Sequence, residues 1–166
     1  MSEVRRFFVD RRKCLGCKTC ELRCAVARGS VGKELVAAVR ENPLPRSRVY
    51  VQSDGETPAV LHCRQCEDAP CLSTCSTGAL KVDPETGVKY IDADRCINCW
   101  MCVMACPYGA IAPASERHAA DKCDRCFQME RPYCMEACPT GAIELLTESE
   151  IEARMRELRA ETMNER

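Results

Sequence analysis

Sixteen cysteines fall into four quartets, with none left over. The first is Cys14, Cys17, Cys20 and Cys24, spaced C-x2-C-x2-C-x3-C. The second is Cys63, Cys66, Cys71 and Cys75, spaced C-x2-C-x4-C-x3-C. The third is Cys96, Cys99, Cys102 and Cys106, spaced like the first and followed by Pro107. The fourth is Cys123, Cys126, Cys134 and Cys138, spaced C-x2-C-x7-C-x3-C and followed by Pro139. Two-residue gaps let a tight loop wrap three thiolates around three corners of one iron–sulfur cubane. The fourth Cys then lies one helical turn further on and points away, toward a second cluster. The third quartet matches the bacterial ferredoxin run completely, and the first has Ala25 where Pro would stand. At four thiolates per cubane, the count suits four [4Fe–4S] clusters and one-electron chemistry. Structural zinc prefers C-x2-C knuckles held apart by a longer spacer and fits this pattern poorly.

The rest of the composition agrees. Aromatic residues are only 5 % of the 166, so something other than large apolar side chains must organise the interior. The Arg5-Arg6 pair is followed by Asp10, Arg11, Arg12 and Lys13, not by a secretory apolar run, and no segment reaches transmembrane length. A cytoplasmic protein without direct membrane insertion is expected, and reducing conditions there disfavour a disulfide framework. Residues 1–48 hold 12 Lys/Arg against 5 Asp/Glu, and the remainder holds 12 against 20. The basic third is a solvated face, compensation for cluster charge, or a docking surface for an acidic partner. No basic run is interleaved with aromatics, which argues against nucleic acid.

Short elements must hold these loops. The pattern C-x-x-G-A-[IL] occurs at Cys75, Cys106 and Cys138, where Gly78, Gly109 and Gly141 supply the positive φ of a sharp turn after the ligand. Apolar lead-ins at residues 7–10 and 88–92, and Asp121-Lys122, precede three of the quartets. Each unit reads strand, ligand loop, short helix, turn, strand, and is too small to bury a face alone. Two units make a two-cluster module. Spacing alone leaves open which quartets pair, although only residues 76–95 separate the second from the third. Residues 30–40 have helical spacing, with Val31, Leu35, Val36 and Val39 on one side, and Asn42-Pro43-Leu44-Pro45 ends that run. Residues 49–51 and 59–61 read as a hairpin around Ser53-Asp54-Gly55. Residues 147–166 read as a helix opened by a Thr147/Glu150 capping box, with a stripe of Ile151, Met155 and Leu158.

Over residues 5–145 the chain resembles the four-cluster polyferredoxin subunits of the dimethyl sulfoxide reductase, formate dehydrogenase and nitrate reductase class. The segments CKTCELRCAV (17–26) and RCINCWMCVM (95–104) are similar to short cytoplasmic members that serve carbon monoxide dehydrogenases and tungsten aldehyde oxidoreductases. The resemblance implies an α+β fold of two bacterial 2[4Fe–4S] ferredoxin-like modules, one nested in the other. The outer module is 1–30 with 112–146, a connector spans 31–62, the inner module is 63–111, and a C-terminal helix covers 147–166. It also implies the ligand sets. One cluster takes Cys14, Cys17, Cys20 and Cys138, and its neighbour takes Cys123, Cys126, Cys134 and Cys24. A third takes Cys63, Cys66, Cys71 and Cys106, and the last takes Cys96, Cys99, Cys102 and Cys75. Cys102 is present beside Trp100, so four irons are implied there, not the three-iron form of some relatives.

The implied function is electron transfer within an anaerobic oxidoreductase complex. A tungsten, molybdenum or nickel–iron catalytic subunit would stand on one side, and a flavin subunit or ferredoxin on the other. A free polyferredoxin or a redox sensor is the alternative. No nucleophile–base constellation or phosphate-cradling loop is visible, so the chain is not expected to be an enzyme alone. Each oxidised cubane with its thiolates carries a charge of about −2. Lys13, Lys18, Arg23, Lys122 and Arg125 lie next to ligands in sequence and are candidates to raise potentials, or are simply solvated. His62, beside Cys63, could donate to a sulfide; His62 and His118 are otherwise structural.

Overall fold

The computed structural model describes residues 5–53, 57–114 and 118–164. Among the described residues, eight short strands make four separate two-stranded antiparallel ribbons. They are β1 (Arg6–Val9), β2 (Tyr50–Ser53), β3 (Pro58–Leu61), β4 (Leu80–Val82), β5 (Lys89–Ile91), β6 (Ile111–Ala114), β7 (Ala119–Lys122) and β8 (Ile143–Leu146). β1 pairs with β8 near the other end of the chain, setting Phe7 opposite Leu145 and Val9 opposite Ile143. Between them β4 pairs with β5, setting Leu80 opposite Ile91. The β6–β7 ribbon leads from the third quartet to the fourth.

The described residues also form six α-helices: α1 (Thr19–Cys24), α2 (Leu35–Ala38), α3 (Pro70–Ser73), α4 (Met101–Ala105), α5 (Tyr133–Glu136) and α6 (Glu148–Asn164). All but the last span one turn or little more and could not stand alone in water. Packing holds them: α1 lies against α5, and α3 against α4. A wide π turn at Ala25–Gly29 extends α1, and a single 3₁₀ turn sits at Ala93–Arg95. α6 opens with the capping box read from the sequence. The Thr147 amide donates to Glu150 Oε2 at 2.7 Å, and the Glu150 amide donates to Thr147 Oγ1 at 3.3 Å. Ile151 and Leu158 are half-buried, while Met155 is exposed. Among the described residues no helix is long and apolar enough to cross a membrane.

The two strand pairs β1–β8 and β4–β5 share one closing device. The Asp10 amide donates to the Ala142 carbonyl at 2.9 Å, and the Asp92 amide donates to the Ala79 carbonyl at 2.8 Å. Each Asp stands four residues before the first Cys of its quartet, and each Ala follows the turn glycine. The lead-in and the far turn of a ribbon are thus tied at the mouth of the thiol loop. The core that results is itself sulfur-rich: Phe7, Val49, Val51 and Ile143 pack with Cys20, Cys24 and Cys123.

The connector departs from the periodic reading. β2 and β3 form the expected hairpin, with Val51 opposite Val60; Asp54 and Gly55 of its turn lie outside the described residues. The helix, however, covers only Leu35–Ala38, and its apolar stripe faces outward. Val31 is 88 % exposed and Leu35, Val36 and Val39 are at least half exposed, while Ala38 is the buried residue. The cause is Glu41. Its Oε1 accepts from the Ser30 hydroxyl, from the Val31 amide at 3.0 Å and from the Gly32 amide at 3.2 Å, closing residues 30–33 into a loop. Those amide bonds take the place of a first helical turn.

Candidate metal centres

Three cavities each collect four thiols, and each draws three from one quartet and one from another. The first is lined by Cys123, Cys126, Cys134 and Cys24. The second is lined by Cys63, Cys66, Cys71 and Cys106, and the third by Cys96, Cys99, Cys102 and Cys75. Of the remaining four, Cys138 is close enough for its charge to act on Cys17 and Cys20, whose loop begins at Cys14. All sixteen cysteines are free thiols. Among the described residues, no three His, Cys, Asp or Glu converge tightly enough to grip a single metal ion.

The backbone of these loops is unusual in a repeated way. The second spacer residue of the C-x-x-C pair that opens each quartet has positive φ: Gly16 at 64°, Gln65 at 51°, Asn98 at 58° and Arg125 at 56°. In the first and third quartets the next spacer does the same, with Lys18 and Trp100 both at 59°. Left-handed residues let a short loop curl its amides inward into an anion-binding nest. Composition hides this, because only one of these positions is glycine; Asn98 aligned with Gly16 is the faint sequence signal.

Amides also reach the sulfurs directly. The C-x-x-G-A-[IL] turns exist for this purpose: the Ala142 amide donates to Cys138 Sγ at 3.2 Å, the Ala110 amide to Cys106 Sγ at 3.4 Å, and the Leu80 amide to Cys75 Sγ at 3.4 Å. Gly78, Gly109 and Gly141 have φ near 60°, as the turn reading expects. Elsewhere the Arg48 amide reaches Cys24 Sγ at 3.3 Å, and the Ala120 amide of β7 reaches Cys96 Sγ at 3.4 Å. Three threonines two residues after a Cys contribute hydroxyls, the nearest being Thr19, 3.3 Å from Cys17 Sγ. Thr77 and Thr140 stand likewise beside Cys75 and Cys138. The recurring C-x-T was the available signal.

Burial and these hydrogen bonds pull individual thiols in opposite directions. Burial pushes the Cys134 thiol up to about 12 and Cys20 to about 11, and drives buried Cys123 well above its usual value. Cys17 is lowered by Thr19. For Cys138 burial acts upward, but the Thr140 hydroxyl and the Ala142 amide outweigh it. Buried thiols of this kind keep their protons at neutral pH until a metal displaces them, so loading such a site releases protons.

The basic candidates separate as clearly. Lys13 and Lys18 are exposed. Arg23 lies half-exposed over the Tyr133 ring at 4.8 Å. Lys122 and Arg125 are only 4 % and 6 % exposed. Arg125 lines the Cys123 cavity, and Lys122 the Cys63 cavity. Nε and Nη1 of Arg125 are buried without a hydrogen-bond partner. Two orphaned guanidinium nitrogens beside a thiol ring suit a group that brings negative charge. His62 is buried edge-on against Phe7, and burial lowers its pKa to about 4, so it is neutral. It borders the Cys123 cavity, not the one its neighbour Cys63 lines. His118 sits on an exposed turn.

Comparison with known proteins places this chemistry. Residues 58–148, which include the last three quartets, match the 4Fe-4S dicluster domain. An "Iron-sulfur protein" of Rhodospirillum rubrum is 41 % identical, with 89 % of this chain and 84 % of that protein aligned. "Electron transport protein HydN" of Escherichia coli (strain K12) is 36 % identical over 96 % of this chain and 98 % of its own. "Thiosulfate reductase electron transfer subunit PhsB" of Salmonella typhi is 34 % identical over 86 % of this chain and 77 % of its own. Two of these relatives are named for electron transport or electron transfer. The chain belongs to the 4Fe-4S dicluster domain family and is an electron-transfer iron–sulfur protein.

Proposed function

We propose that the chain holds four [4Fe–4S] clusters in a row and serves as the electron-transfer subunit of a cytoplasmic oxidoreductase complex. When bound, each cluster supplies a centre that takes up and gives back one electron. Cys14, Cys17, Cys20 and Cys138 would hold the first, and Cys24, Cys123, Cys126 and Cys134 the second. Cys63, Cys66, Cys71 and Cys106 would hold the third, and Cys75, Cys96, Cys99 and Cys102 the fourth. The observation that carries this is the composition of the three cavities, each with three thiols of one quartet and the last thiol of another. The outer module is then residues 1–30 with 112–146, enclosing the inner module at 63–111, with 31–62 as connector and α6 closing the chain.

The row has two ends. Cys17 and Cys99 are the two exposed cysteines of the sixteen. Each follows an exposed apolar residue, Leu15 or Ile97, at the same loop position. Two outward-facing centres suit two partners. One is a catalytic subunit of tungsten, molybdenum or nickel–iron type, a role in keeping with the reductase subunit among the relatives. The other is a flavin subunit or a ferredoxin.

Anaerobic purification with iron and sulfide analysis, followed by EPR of cysteine variants, tests the assignment. About sixteen irons per chain are expected at four per cubane. Cys138→Ser should alter the same signal as Cys17→Ser, and Cys24→Ser the same signal as Cys126→Ser. About eight irons, or a Cys138→Ser effect on the Cys126 signal, would overturn it.

A further inference from the structure

The Cys123 and Cys63 cavities meet along one seam, and that seam is polar. Gln65, from the loop of the second quartet, donates to the Cys123 carbonyl at 2.9 Å. Lys122 Nζ donates to the carbonyls of Lys89 and Cys123. Arg125 donates to the Thr86 carbonyl at 3.4 Å and leaves Nε and Nη1 buried and unsatisfied. The nearby carboxylates are already taken: Asp121 pairs with Arg48 at 2.7 Å, and Asp124 with Arg48 and Arg28. Two cations inside a protein with only carbonyls as partners are costly. A compensating negative charge must face them, and the thiol rings on either side are where it would reside.

We infer that Arg125 and Lys122 are the built-in counter-charges of the two clusters that meet at this seam, and that they make those two centres easier to reduce than the same ligands alone would. The inference rests on the four-cluster assignment above. Its physics is simple. Reduction adds one negative charge to a centre, and a fixed buried cation stabilises the reduced form more than the oxidised one. Arg serves well, because its guanidinium keeps its proton even when buried. Lys13 and Lys18, out in water, are screened and contribute far less. The seam is also the crossing between modules, so the cations act on the step every electron must make there.

The test is a potentiometric EPR titration of the anaerobic holoprotein with Arg125→Gln, Arg125→Lys, Lys122→Gln and Lys13→Gln. In Arg125→Gln the reduction equilibrium of the centre altered by Cys126→Ser should fall at least tenfold, which is 59 mV for one electron. Arg125→Lys should restore most of that, and Lys13→Gln should leave all potentials in place. Unchanged potentials in an iron-replete Arg125→Gln protein overturn the inference. Should that variant fail to hold its iron, Lys122→Gln reads the same claim at the centre altered by Cys66→Ser, which must also become harder to reduce; static potentials there overturn it equally. A wild type short of four clusters defeats the underlying assignment instead, and the iron count separates the two failures.

Discussion

Gln65 ties the second quartet to the fourth: its Nε2 donates to the Cys123 carbonyl at 2.9 Å, while its Oε1 accepts the Lys89 amide at 2.7 Å. The side chain is 2 % exposed, and its backbone is left-handed. Gln65→Ala strands the Lys89 amide in the interior and weakens the joint between two thiol loops. We expect a loss of about 2–4 kcal/mol, the cost of leaving buried polar groups unpaired. Anaerobic denaturant unfolding measures it. Gln65→Glu, which keeps the acceptor and loses the donor, should fall in between.

The turn glycines and Gly29 behave oppositely. A Cβ added at Gly141 would meet nothing within 4 Å, so Gly141→Ala pays only for an Ala at φ 62°, about 1 kcal/mol. At Gly29 the same atom would lie 2.6 Å from the Arg46 carbonyl oxygen and 2.9 Å from its nitrogen, both backbone. Gly29→Ala should therefore cost more, about 2–3 kcal/mol, although Gly29 lacks the positive φ. Thermal unfolding midpoints of the two variants under one buffer decide the order.

Acid should reach Asp10 later than an ordinary carboxylate. Burial pushes its carboxyl up, but hydrogen bonds from the Arg12 side chain and amide outweigh burial, and its pKa lies below the ordinary 3.8. A carboxylate depressed in the folded state contributes its stability fully above the unfolded value and loses it as pH falls through the folded one. Asp10→Asn should cost about 2 kcal/mol at pH 7, the range for a charged hydrogen bond. The gap to wild type should hold down to about pH 5 and shrink below about pH 4. A gap that widened in acid would contradict this. Unfolding midpoints across that pH series are the measurement.

Much of this was legible because cluster ligands are constrained by covalent chemistry, so their spacing announces them. The ribbons also followed from short apolar lead-ins such as Phe7-Phe8-Val9. Two things did not show. Positive φ at Gln65 and Arg125 is imposed by the loop and carried by ordinary side chains, and only Asn98 hints at it. The burial of Lys122 and Arg125 against the exposure of Lys13 and Lys18 depends on the seam between two cavities, a contact between residues distant in sequence. Helical periodicity failed at residues 31–39, because Glu41 captured the amides that a first turn would have left free.

That failure yields a prediction of its own. If the Val31, Leu35, Val36 and Val39 stripe were core, polar replacement there would cost several kcal/mol. All four side chains are at least half exposed, so Leu35→Gln and Val36→Gln should change stability by no more than about 0.5 kcal/mol. Ala38, 3 % exposed in the same helix, should respond the other way: Ala38→Leu must force a buried methyl-sized space to hold three more carbons, at about 1–3 kcal/mol. Unfolding of the three variants side by side fixes which face of α2 looks inward. A large loss at Leu35 with none at Ala38 would turn the helix around.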